Sequence, residues 1–125
     1  MIKIGVIGLG YVGLPLAIEL SKLYNVVAYD LNVNRVNQLK KGIDDTKNIN
    51  SFKSKITRKI IFTNESKKLN KCNFYIVTVP TPIDKNNNPD LKLLINASKL
   101  VAKYLKKNDI VVYESTVYPG VTEEK

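Results

Sequence analysis

The chain has 125 residues, 44% of them hydrophobic, and carries a formal net charge of +9 with one cysteine and no histidine. That length gives a single domain burying roughly two thirds of its unfolded-chain surface, with no room for a two-domain enzyme. A lone Cys72 excludes an intramolecular disulfide and fits a reducing, cytoplasmic setting, and the missing histidine excludes His-based catalysis and His metal sites within the chain.

The charge comes almost wholly from scattered lysines, read here as solvated faces of a lysine- and asparagine-rich composition. No nucleic-acid partner is expected, although the field favours a phosphorylated ligand. No apolar run is long enough for a membrane span, and the first motif follows Met1 too closely for a targeting segment. No membrane partner is expected.

Ile2 to Ile7 reads as the first strand. Its unbroken apolar character suits burial on both faces, as in a parallel sheet. Gly8-Leu9-Gly10-Tyr11-Val12-Gly13 follows, a G-x-G-x-x-G turn set between strand and helix signals. Gly8 makes the tight turn, Gly10 lets the backbone approach a pyrophosphate, and Gly13 lets helix and strand pack closely. Tyr11 and Val12 supply backbone N–H groups or apolar contact at the phosphates, whose charge the helix dipole favours. The plainer alternative is a glycine-rich turn that merely packs tightly. The helix is expected from Tyr11 to Tyr24, with Pro15 in the first turn, where a missing N–H costs little.

Asn25 to Asp30 is the second strand, and Asp30 closes it about twenty residues past the turn. A carboxylate there suits the adenosine ribose hydroxyls and repels a 2′-phosphate, which favours NAD over NADP. It also suits a turn or a helix cap. Asn32 or Asn34 caps the next helix, Val33 to Lys41, which Gly42 stops. Residues 43–46 read as loop and 51–59 as a short basic helix. Ile60 to Phe62 is the third strand, and Glu65 to Lys71 is loop or a helical turn. Phe74 to Val79 is the fourth strand. It ends at Pro80-Thr81-Pro82, which no helix or central strand carries through. The Thr81 hydroxyl and local backbone either line the cofactor or serve an ordinary turn. After a polar loop over 84–89, Asp90 caps a helix over 91–107 with Leu94, Leu100, Val101, Tyr104 and Leu105 inward. Asn108-Asp109 turns into the fifth strand, Ile110 to Tyr113. Glu114-Ser115-Thr116 follows, and a helix starts at Val121. The expectation is a single domain cut short.

Strands alternating with helices predict an α/β fold: a Rossmann-type doubly wound parallel sheet of order 3-2-1-4-5. Ligands bind such a sheet beyond the carboxyl ends of its strands, where the order reverses. Gly8–Gly13, Asp30, Pro80–Pro82 and Glu114–Thr116 all fall on that edge. Asp44-Asp45 and Glu123-Glu124 are adjacent pairs that do not face one another, so they read as solvated, and no metal site is expected.

Three spaced stretches together resemble the UDP-glucose/GDP-mannose (nucleotide-sugar 6-) dehydrogenase family. They are Ile7 to Ala17, Thr78-Val79-Pro80-Thr81-Pro82 with Pro89-Asp90-Leu91, and Glu114-Ser115-Thr116-Val117-Tyr118-Pro119-Gly120. The last, followed by Thr122-Glu123-Glu124, is more similar to the branch acting on UDP-N-acetylhexosamines than to the UDP-glucose branch. The resemblance implies that residues 1–125 are the NAD-binding domain of an enzyme that uses NAD to oxidise a UDP-(N-acetyl)hexosamine C6 alcohol to the uronic acid, for surface polysaccharide precursors. It places the catalytic cysteine, lysine and asparagine beyond residue 125, in a second domain and a central helix, the latter being the element through which relatives largely dimerise. Alone, this chain is expected to bind NAD without turnover, and the UDP-sugar is a partner only of a longer protein.

Cys72 matches no catalytic motif of the family. The cofactor-binding residues implied are Gly8, Gly10, Tyr11, Val12, Gly13, Asp30, Arg35, Pro80, Thr81 and Thr116. Arg35 stands where the family approaches the adenosine ribose, or is a solvated helix charge. Thr116 falls near the nicotinamide, with an auxiliary part in positioning a reactive water or hydroxyl. Two other functions stay open: a stand-alone dinucleotide-binding regulatory module, and the NAD domain of another β-hydroxyacid-type dehydrogenase.

Overall fold

A computed structural model describes residues 1–41, 59–81, 85–88, 90–114 and 116–117. Its elements, in chain order, are β1 (Lys3–Ile7), α1 (Gly13–Leu20), β2 (Asn25–Tyr29), α2 (Val33–Lys40), β3 (Ile60–Thr63), a 3-10 helix (Ser66–Lys71), β4 (Phe74–Val77), β5 (Pro80–Thr81), α3 (Lys92–Tyr104), β6 (Ile110–Tyr113) and β7 (Thr116–Val117). Five strands form one parallel sheet in the order β3-β2-β1-β4-β6. The fifth strand expected from sequence is β6, because two-residue β5 precedes it and pairs with β7 in a separate small sheet. The 3-2-1-4-5 order therefore stands.

Side chains alternate across the sheet with a period of two, and each face buries its own layer. Ile4 and Val6 of β1, Val26 and Ala28 of β2 and Ile76 of β4 pack against Leu14, Ala17 and Ile18 of α1 and Val36 and Leu39 of α2. On the other face, Tyr75 and Val77 of β4 meet Ala97 and Val101 of α3 and Leu69 of the 3-10 helix. Each fully buried aliphatic side chain contributes roughly 1.5–3 kcal/mol, so the two layers explain why β1 and β4 lack the polar alternation of a one-sided sheet.

Element ends differ from the sequence reading for local reasons. α1 begins at Gly13, because Tyr11 and Val12 are used in the turn and the first helical bond runs from Leu14 N–H to the Gly10 carbonyl, 3.2 Å. It ends at Leu20. There the bonds shorten to three-residue spacing, Lys22 to Glu19 at 3.2 Å and Leu23 to Leu20 at 3.1 Å. Asn32, not Asn34, caps α2, its side-chain oxygen accepting from Arg35 N–H at 3.1 Å. α3 stops at Tyr104, short of residue 107, because Leu105 turns extended and stays 43% exposed. Ala97, not Leu105, is among the inward residues of α3. Asp90 accepts from Lys92 N–H at 3.0 Å, although Leu91 occupies the cap position itself. β4 ends at Val77, yet Thr78 N–H still bonds the Ile7 carbonyl at 2.8 Å. Asn108, with φ of 74°, makes the expected turn into β6, where Asp109 accepts from Lys106 N–H at 2.8 Å. The expected loop over 43–46 and the helices over 51–59 and from Val121 lie outside the described residues, apart from Lys59.

Candidate functional site

The carboxyl edge of the sheet is built on the β1–α1 turn. Gly8 has φ of +101°, a region L side chains rarely adopt, and its N–H donates to the Tyr29 carbonyl at 2.9 Å. A Cβ at Gly13 would collide with the Gly8 carbonyl oxygen and Thr78 Oγ1, so the third glycine is required by close helix–strand packing. Gly10 differs from both. A Cβ there meets no atom of the described residues within 4 Å. The chain's own packing accounts for Gly8 and Gly13, and no contact among the described residues accounts for Gly10.

Leu9 carries the turn between two charged side chains. Its N–H donates to Asp30 Oδ2 at 2.8 Å. Its carbonyl accepts from Arg35 Nε at 3.0 Å and Nη2 at 2.8 Å. Asp30 Oδ1 also accepts from Asn32 N–H at 2.9 Å, which ties β2 to the start of α2. Arg35 is 9% exposed, so the solvated-helix reading of this residue is wrong; the guanidinium is committed to the glycine turn. Asp30 does serve as a turn carboxylate. An ionised carboxylate has about four lone-pair sites, so acceptor capacity is left for a ligand hydroxyl.

Thr78 completes the cradle and was not singled out in the sequence. Its hydroxyl is buried and donates to the Gly8 carbonyl at 2.6 Å, with the Ile7 carbonyl at 3.2 Å. The available signal was a hydroxyl residue inside the otherwise apolar run Phe74 to Val79, at the level where β1 ends.

These groups border a cleft of about 640 Å³ between the β1, β2 and β4 ends and α3. Of the expected cofactor residues, Gly8, Gly10, Asp30, Arg35 and Pro80 line it. Tyr11 is 67% exposed and does not line it, nor does Val12, which sits at the N-cap of α1. No side chain caps that helix end, and because Leu14 N–H is taken by the Gly10 carbonyl and Pro15 has no N–H, the Gly13 N–H is the first-turn donor left for an anion among the described residues. The backbones of Thr81 and Thr116 come together through the β5–β7 pair, where Pro80 stands opposite Thr116 and Thr81 opposite Val117. The motifs after the fourth and fifth expected strands are thus brought side by side.

Cys72 is 1% exposed, and burial pushes its thiol up to about 11, against the smaller opposing influence of Lys106 and Lys3. A reactive thiol needs an accessible, thiolate-favouring niche, and this is the opposite. Among the described residues no group of His, Cys, Asp and Glu side chains suits a metal ion, and no helix is long and apolar enough to cross a membrane.

The sequence matches the UDP-glucose/GDP-mannose dehydrogenase family, NAD binding domain, over residues 2–125. It is 52% identical over 123 residues to the UDP-N-acetyl-D-glucosamine 6-dehydrogenase of Pseudomonas aeruginosa, covering 98% of this chain and 29% of that protein. It is also 52% identical over 124 residues to the enzyme of the same name from Salmonella typhi, covering 99% and 29%. Among solved structures it is similar to the UDP-D-ManNAc dehydrogenase of Pyrococcus horikoshii, with a TM-score of 0.82, 33% identity, and coverage of 98% of this chain and 30% of that one. The chain spans about 30% of the length of the relatives it matches.

Proposed function

Because the chain belongs to the UDP-glucose/GDP-mannose dehydrogenase family, as its NAD-binding domain, we propose that it forms the NAD site of an enzyme that oxidises the C6 alcohol of a UDP-N-acetylhexosamine to the uronic acid, for surface polysaccharide precursors. Bound NAD supplies the oxidising power. The Gly13 N–H at the start of α1 and the space at Gly10 accept the pyrophosphate. Asp30 accepts the adenosine ribose hydroxyls and repels a 2′-phosphate. Arg35 and Thr78 keep the glycine turn in the shape that leaves that space. Pro80, Thr81 and Thr116 serve the nicotinamide side, with Thr116 in an auxiliary part.

The observation that carries the reading is Gly10. It is a glycine with open space where a side chain would go, between two glycines that the fold itself demands. The N-acetylhexosamine choice is supported by the 52% identity to two UDP-N-acetyl-D-glucosamine 6-dehydrogenases. Titration calorimetry of the chain with NAD and NADP tests the cofactor, with NAD expected to bind more tightly. Joining residues 1–125 to the remainder of the Pseudomonas aeruginosa relative tests the activity. The chimera is expected to turn over UDP-N-acetylglucosamine with NAD. A folded chimera that binds NAD and UDP-sugar but never reduces NAD would defeat the proposal.

A further inference from the structure

The positive charge of the chain is placed unevenly. All strands of the main sheet run parallel, so all begin at one edge, opposite the cleft. Lys3 opens β1, Lys59 stands directly before β3, Lys71 lies just ahead of β4, and Lys106 and Lys107 lie in the turn before β6. α2 runs back to this edge and ends in Lys40. The acids among the described residues there are Glu19, paired with Lys22 at 2.9 Å, and Asp109, which accepts from Lys106 N–H. No lysine borders the cleft, and its Arg35 is committed to the Leu9 carbonyl. The field therefore does not converge on a phosphorylated ligand in the cleft. Lysines at helix ends answer the helix dipole, which accounts for Lys40 but not for Lys3 or Lys59 at strand starts.

The same edge leaves large apolar side chains uncovered. Met1 is 97% exposed, Leu23 in the turn between α1 and β2 is 73% exposed, and Ile110 at the start of β6 is 52% exposed. Asn73 joins two of these places, its Nδ2 donating to the Met1 carbonyl at 2.8 Å and its carbonyl accepting from Ile110 N–H at 3.2 Å. Leu23 lies two residues before Asn25, which pairs with Lys3. Apolar tips set among lysines suit the boundary between headgroups and acyl chains. A strongly hydrated ammonium on a long stem suits a diffuse anionic plane, whereas bidentate phosphate recognition in nucleic acid favours arginine, which the described part of this edge lacks.

We infer that this edge rests on an anionic lipid surface, its lysines among the headgroups and Met1, Leu23 and Ile110 entering between them, so that the cleft faces water. The expectation of no membrane partner followed from the absence of a span, and a surface contact needs none.

The test is co-sedimentation of the chain with vesicles of phosphatidylcholine containing phosphatidylglycerol, against vesicles of phosphatidylcholine alone. Binding is expected to the anionic vesicles only and is expected to fall as salt is raised. Each lysine at such a surface is worth about fivefold in affinity. Lys71→Gln with Lys107→Gln should therefore weaken binding about twentyfold or more. Lys85→Gln with Lys92→Gln, two exposed lysines on the cleft side, gives the same net charge and should bind like the wild type. The chain has no tryptophan, so Leu23→Trp supplies a single reporter. Its emission should shift to the blue on anionic vesicles, while that of Leu31→Trp, 76% exposed beside the cleft, should not. Equal losses in the two lysine pairs, or a blue shift at Leu31 in place of Leu23, would show attraction by net charge alone and overturn the inference. Absence of binding to anionic vesicles also overturns it, and duplex DNA binding that depends on Lys71 and Lys107 would then assign the edge to nucleic acid. None of these readouts depends on NAD.

Discussion

The glycine turn makes a prediction that separates folding from binding. In Gly13→Ala the new methyl group falls on the Gly8 carbonyl oxygen and Thr78 Oγ1, and lies 2.9 Å from the Gly8 carbonyl carbon. Two of those atoms are backbone, so the start of α1 must move away from β1. Overpacking of this kind costs about 3 kcal/mol or more, a large share of the roughly 5–15 kcal/mol that holds a domain together. The melting temperature should fall by about 10 °C or the variant should not fold. In Gly10→Val the added groups meet open space, and the cost to folding should stay within about 0.5 kcal/mol. The same groups fill the space assigned to the pyrophosphate, so NAD affinity should drop on the order of a hundredfold or more. Thermal melts monitored by circular dichroism give the first comparison and calorimetric titration the second. If Gly10→Val melts as low as Gly13→Ala, or binds NAD like the wild type, the division of labour within the turn is wrong.

Asp30→Ala removes the acceptor for Leu9 and Asn32 N–H groups together with the charge facing a 2′-phosphate. NAD binding should weaken about tenfold and the preference over NADP should disappear, whereas equal affinity for both in the wild type would refute the assignment at once. Thr78→Val keeps the shape but leaves the Gly8 carbonyl without its 2.6 Å donor. It should lose about 1 kcal/mol that Thr78→Ser retains, and denaturant midpoints that coincide for all three proteins would count against the cradle. Burial raises Cys72 from 9.0 to about 11 and Tyr75 from 10.0 to about 12. Because the unfolded chain releases these protons first, their contribution to stability is intact below pH 9 and is lost between pH 9 and 12. A denaturant midpoint that stays flat across that window contradicts the sign.

The sheet was legible because its strands are short apolar runs separated by turn residues, and because parallel βαβ connection leaves few possible orders. Element ends were less so. Tyr11 and Val12 carry the same apolar signal as the helix that follows, and only the Gly10–Leu14 bond shows that they belong to the turn. Leu105 matches the α3 spacing but falls where the chain has already turned extended. The site divided in the same way. Gly8, Gly10, Gly13 and Asp30 were readable because their roles depend on backbone shape and charge at fixed spacing. Thr78 and the burial of Arg35 were not, because each acts through a contact between residues 70 and 26 positions apart, and a hydroxyl in an apolar run marks Thr78 without naming its partner.

Asp30 shows why a turn carboxylate and a cofactor carboxylate need not be alternatives. Its two oxygens accept from Leu9 and Asn32 N–H groups in the chain alone, and these bonds aim the side chain before any ligand arrives. A pre-aimed carboxylate spares the ligand the ordering of a free side chain, a cost of about 0.5–1.5 kcal/mol. Asp30 holds Leu9 through its N–H, and Arg35 holds it through its carbonyl, which belongs to the peptide joining Leu9 to Gly10. Arg35 thus fixes the peptide plane that leads directly into Gly10. A change at Arg35 should accordingly weaken NAD binding together with the fold: Arg35→Met, which keeps the buried stem and loses the guanidinium, should lower both stability and affinity, while Gly10→Val lowers affinity alone.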